Sequence, residues 1–146
     1  MSDLDSPPSA ETLDGASTVE VQTSASAALI PTIRAVASDL AARADFDLDA
    51  ISDLRMAVDE ACATLVDVAA PSSMLRCTFL VHPERIEVHA EVQAGHSDAA
   101  VSTDTFGWRV LQTLADDVQA LRTPGGDGTR PTVGIRLDKH AGDPSR

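Results

Sequence analysis

The chain has 146 residues, 23 of them acidic and 11 basic, for a net charge of −12. That length suits one domain with one real core. The charge excludes direct grip on a nucleic-acid backbone or an anionic membrane, both of which need a basic face. With no Tyr, and only Phe46, Phe79, Phe106 and Trp108 as aromatics, base-stacking platforms are excluded too.

From the N-terminus, residues 1–16 are small and polar, with four acids and no base. They read as a disordered acidic tail, and they lack the basic and apolar regions of a secretory signal. No uncharged apolar run approaches the roughly 20 residues of a membrane span, so a cytoplasmic location is expected. In STVEVQT, Val19 and Val21 alternate with polar neighbours and predict a short strand. From Ala27 the period becomes helical through Leu29, Ile33, Leu40 and Ala44, with Pro31 tolerable only in the first turn. A second helix follows DFDLDA, with Ile51, Leu54, Val58, Ala61, Leu65 and Val68 on one face. Asp49 or Ser52 is its expected cap, and Pro71 ends it.

Two alternating runs follow, Leu75 to Val81 and Ile86 to Val92, joined by HPER. They predict a hairpin with one wet face. Residues 93–105 have small polar side chains and no period, which predicts a mobile loop. Helical spacing resumes near Thr105 with Phe106, Val110, Leu111 and Leu114. The stretch 113–121 is either more helix or a passage near Asp116 into a strand at VQAL. TPGGDGTRP is turn material, Val133, Ile135 and Leu137 alternate as a last strand, and residues 139–146 form a frayed tail. The expected architecture is an α/β two-layer sandwich over residues 17–138, a mixed, mostly antiparallel sheet with helices on one face.

Chemistry concentrates in LRMAVDEACATLV, residues 54–66. Glu60 and Thr64 are four apart and share a helical face. Such a pair can activate a hydroxyl or help hold a metal-bound phosphate; it is equally what an ordinary amphipathic helix exposes. Cys62 and Cys77 read as buried, inert thiols. The four histidines are scattered without metal-ligand spacing.

The segment resembles the N-box of the GHKL (histidine-kinase-like) ATPases, roughly V-x-E-A-x-x-N, through Val58, Glu60 and Ala61, with Thr64 where the Asn belongs. Together with WRVLQTLADDVQ and the order of elements, it is similar to the stress-response anti-sigma factors of the RsbW/UsfX type, which combine sigma-factor binding with serine-kinase activity. The resemblance implies ATP and Mg²⁺ as cofactors, Glu60 as the residue that polarises the attacking hydroxyl, and Thr64 at the metal and triphosphate. It places Gln93 and Gly95 in the box that receives adenine, where the family has D-x-G-x-G. It places Gly107 and Arg109 at the phosphates, at the start of a helix that follows a lid-like loop. Gln for Asp, Thr for Asn and the missing glycines predict a degenerate pocket with weak ATP binding and little kinase activity. The alternative is an active serine/threonine kinase acting on an antagonist.

Partners follow from charge and resemblance together. Residues 39–67 hold eight acids against Arg43 and Arg55, half the net charge. Some of these acids suit a helix N-terminus. Asp45, Asp47, Asp49 and Asp53 together also form a surface that steers a basic protein. A sigma factor, whose DNA-binding helices are basic, fits that description. By resemblance, Arg34 touches partners, a STAS-domain antagonist releases the sigma factor, and the protein forms a homodimer.

Overall fold

The computed structural model describes residues 17–142; the predicted acidic tail 1–16 and the last four residues lie outside the described residues. The chain runs β1 (Ser17–Ser24), a 3₁₀ turn (Ala27–Leu29), α1 (Ile30–Arg43), α2 (Leu48–Val68), β2 (Met74–His82), β3 (Arg85–Gln93), α3 (Phe106–Leu114), β4 (Asp117–Thr123) and β5 (Thr132–His140). Pro31 lies in the first turn of α1, where its missing N–H costs no helical bond.

The five strands form one sheet in the order β1-β2-β3-β5-β4. All four pairings are antiparallel, so the sheet is not mixed. Two helices, α1 and α2, lie between β1 and β2, and β2 returns antiparallel to β1. Later, β5 inserts between β3 and β4, so strands running the same way are never neighbours.

Alternation divides the sheet cleanly. Leu75, Cys77, Phe79, Ile86, Val88, Ala90, Val92, Val133, Ile135 and Leu137 are buried beneath the helices. Against them pack Ile33, Ala37 and Ala41 of α1, Leu54, Ala57, Val58, Ala61 and Leu65 of α2, and Trp108 and Leu111 of α3. The other face is open and charged. There Glu87 accepts from Arg136 at 3.0 Å and Arg85 at 3.3 Å, and also meets the His89 ring. Arg136 and Arg85 reach Asp138 as well, at 3.1 and 2.7 Å. Burial alone would raise the Glu87 carboxyl, but hydrogen bonds from His89, Arg136 and Arg85 overcome it and hold it down at about 2.

Several boundaries differ from the sequence expectation, each for a local reason. Asp47, not Asp49 or Ser52, caps α2: its carboxylate accepts from the Ala50 N–H at 2.7 Å. The ambiguous stretch after Leu114 resolves as a strand, because β4 finds a partner in β5. The tail expected to fray from residue 139 is ordered at its start. Lys139 and His140 continue β5, and Lys139 Nζ is tied to Asp53 at 3.2 Å and to the Leu114 carbonyl at 3.0 Å. The loop expected to be mobile is tethered: Ala94 and Val101 are buried in it, and Arg122 donates to two of its carbonyls.

Candidate functional site

The site is the junction of α2 with the start of α3. Glu60 sits midway along α2, half-buried, and the Thr64 hydroxyl donates to its Oε2 at 3.4 Å. Gly107 lies directly over that carboxylate. A Cβ built at Gly107 would collide with Glu60 Oε2 and stand 3.1 Å from its Cδ. With no side chain at Gly107, α3 comes this close without displacing the Glu60 carboxylate. The structure therefore brings together Glu60, Thr64 and Gly107 from two segments more than 40 residues apart. No cation pairs with Glu60 among the described residues.

Thr105 caps α3, its hydroxyl accepting from the Trp108 N–H at 3.1 Å. One of the amides expected to face phosphates is thereby already satisfied. Trp108 is buried in the core rather than standing over the site, while Phe106 is 79% exposed. Arg109 is exposed on α3.

Gln93 and Gly95 fall elsewhere. Along β3 the buried residues are Ile86, Val88, Ala90 and Val92, so the Gln93 side chain points to the open face. There it lines a shallow groove with Gln22, Arg76, Glu91 and Thr132. The adenine role expected of Gln93 is thus not supported by its orientation; Ala94, fully buried, occupies the inward position instead. Gly95 lies at the far end of α2, its N–H donating to the Val68 carbonyl at 2.9 Å. That is about 12 Å along the helix from Glu60. A Cβ there meets only ordinary contacts from 3.5 Å outward, so the backbone does not demand glycine. As arranged, the residues do not fit Mg²⁺–ATP. Glu60 and Gly107 close on each other, the Thr64 hydroxyl is engaged, and the Gln93 side chain is turned to the other face of the sheet.

Of the residues expected to meet partners, several have work inside the fold. Arg34 Nη1 pairs with Asp59 Oδ2 at 3.0 Å, one residue before Glu60. Asp47 is the α2 cap, and Asp53 holds Lys139. Asp45 adopts a left-handed backbone at the α1–α2 turn, with φ 61°, a conformation Asp tolerates better than most residues. Asp49 is exposed in the first turn of α2, beside Leu48, which is 83% exposed. Sequence spacing missed one pairing altogether. Cys62 Sγ lies 3.8 Å from Cys77 Sγ in the core. That hydrogen bond, then burial, pushes the Cys62 thiol up, which keeps it protonated and unreactive.

Residues 23–132 match the family model of the histidine kinase-like ATPase domain. The chain is 36% identical over 120 residues to the anti-sigma-F factor RsbW of Mycobacterium tuberculosis, in strains CDC 1551/Oshkosh and ATCC 25618/H37Rv. The match covers 82% of this chain and 68% of that protein. The chain belongs to the RsbW-type histidine kinase-like ATPases. No helix among the described residues is long and apolar enough to cross a membrane.

Proposed function

We propose that this chain is an anti-sigma factor that sequesters an alternative, stress-response sigma factor in the cytoplasm and releases it to a STAS-domain antagonist. The observation that carries the proposal is the 36% identity, over 120 residues and 82% of this chain, to a protein named as an anti-sigma factor. Charge supports it. Of the acids in residues 39–67, Asp39, Asp53 and Asp59 have cations at 2.8 to 3.2 Å, whereas Asp45 and Asp49 stand at the α1–α2 end with the exposed Leu48 between them in sequence. An apolar residue flanked by acids suits a basic, amphipathic segment, the character of a DNA-binding helix. Arg34, one-third exposed beside Asp59, can exchange that partner for an acid on a bound protein. Homodimerisation is part of the same proposal.

The nucleotide site is degenerate in this scheme, and the binding role does not require it. The competing possibility, an active kinase that phosphorylates the antagonist, rests on one observation: Glu60 keeps its place at the α2–α3 junction with no neutralising cation among the described residues. A single set of measurements separates the two. A purified stress sigma factor is expected to form a stable complex with the chain, and the double variant Asp45→Lys/Asp49→Lys is expected to slow association about tenfold at low salt. Absence of a complex with any candidate sigma factor would overturn the proposal. Labelled ATP with purified antagonist is expected to give no transfer above that of Glu60→Ala. Glu60-dependent transfer would establish the kinase instead.

A further inference from the structure

We infer that Arg122 is a latch on the segment between β3 and α3, the segment that leads into the helix seated on Glu60, so that the site closes on itself at rest. The inference rests on placing the site at the α2–α3 junction and does not depend on the identity of the protein partner. The segment has little internal structure, and its residues are small and polar. Such a stretch ordinarily stays mobile. Here three tethers hold it. Its root is fixed by the Ala94 N–H to Pro131 O at 2.8 Å and the Gly95 N–H to Val68 O at 2.9 Å. Its middle is pinned by Val101, 8% exposed in the core cluster. Between these, Arg122 donates from Nη2 to the Ser97 carbonyl at 2.6 Å and from Nε to the Ala99 carbonyl at 3.0 Å.

The position of Arg122 makes this possible. It pairs in register with Val133, whose side chain is buried under the helices, so Arg122 projects to the helix side of the sheet. It does so at an edge where β4 is exposed. A planar fork with several donors can hold two carbonyls two residues apart at once, where an ammonium cannot do so in fixed geometry. The segment then runs directly into Thr105, the cap of α3, and Gly107, the residue seated on Glu60. Because α3 starts where the segment ends, lifting α3 off Glu60 requires the segment to move. Arg122 thus sets the population in which Glu60 is accessible, to a nucleotide or to the hydroxyl of a partner.

The test uses the full chain and needs no partner. Trp108 is the only tryptophan, and it is 7% exposed one residue beyond Gly107, so its fluorescence reports whether the start of α3 lifts. In Arg122→Ala, losing two charge-assisted bonds is expected to raise amide exchange within 96–105 about tenfold. Acrylamide quenching of Trp108 is expected to rise with it. A fluorescent ATP analogue, titrated without chemistry as a probe of access, is expected to bind the variant about fivefold tighter than the native chain. Arg122→Lys, which keeps the charge and loses the fork, is expected to resemble the alanine variant. Unchanged exchange in 96–105 would overturn the latch. So would exchange that rises equally throughout β4 and β5, which would mark Arg122 as a strand-stabilising residue only. Faster exchange with no gain in analogue binding, or with no change in Trp108 quenching, would overturn its control of the site. Weak analogue binding by the native chain with a gain in the variant keeps the latch and the degenerate pocket together; strong binding by both would remove both.

Discussion

Glu87 on the open face of the sheet and Glu60 on the helix layer are both partly buried carboxylates, and they live in opposite surroundings. Glu87 accepts from two arginines and meets a histidine, and those arginines reach Asp138 in turn. Glu60 has a single long bond from the Thr64 hydroxyl, and a glycine rests on it. A fully paired carboxylate is committed to the fold, because removing it strands its partners. A carboxylate with one weak partner contributes little to stability and is free to act on whatever reaches it. The difference separates the part of the molecule that ties the strands together from the part that keeps its chemistry open.

The largest effect should therefore come from the open face. Glu87→Ala is expected to lower the unfolding free energy by about 3 kcal/mol, by leaving the partly desolvated Arg85 and Arg136 with Asp138 as their one remaining shared carboxylate. Glu60→Ala is expected to change it by less than about 0.5 kcal/mol. Urea titration of the two variants checks the contrast, and equal losses would break it.

A pH scan sharpens the same contrast with a smaller effect. The Glu87 carboxyl sits at about 2 in the folded chain, below its ordinary 4.5. A carboxyl lowered by folding stabilises the native state fully above its ordinary value, and that stabilisation is lost as pH falls toward the folded one. Between pH 6 and 2.5 the native chain is expected to lose about 2 kcal/mol more than Glu87→Gln, which has no proton to take up. Chemical unfolding of both proteins at the two pH values measures it.

Much of this was legible in the sequence, and what was not has a common cause. The α2 stripe of Leu54, Val58, Ala61 and Leu65, and the alternation in β2 and β3, each lie within one element, so spacing alone revealed them. The antiparallel order, the Cys62–Cys77 contact and the Arg122 tether join residues 15 to 25 positions apart or more, where no local period operates. Gln93 is the instructive miss. Motif alignment put it at the adenine and the lack of period put it at the start of a loop, whereas β3 continues through it and the alternation of Val88, Ala90 and Val92, carried one residue further, turns it to the wet face. The periodic signal was the stronger because burial of a whole strand face enforces it. The α2 cap was misread by two residues, since DFDLDAIS offers four candidate caps in a row and only the turn geometry selects Asp47.

Gly107 gives the finest test of the contrast, because it is where the free carboxylate meets the fold. A methyl at Gly107 must displace the Glu60 carboxylate, the flexible end of a side chain, rather than backbone. Gly107→Ala is therefore expected to cost only about 1 kcal/mol, far less than a clash against a rigid wall. Alanine also favours a helix over glycine by about 1 kcal/mol, which offsets most of that steric cost. In the double variant Gly107→Ala/Glu60→Ala the obstacle is gone and the helix-favouring residue remains, so the pair should be more stable than Gly107→Ala alone. A double-mutant cycle by urea titration should give a coupling of about 1 kcal/mol. Zero coupling would mean that α3 does not rest on Glu60, and that the free carboxylate lies open to solvent without any help from a latch.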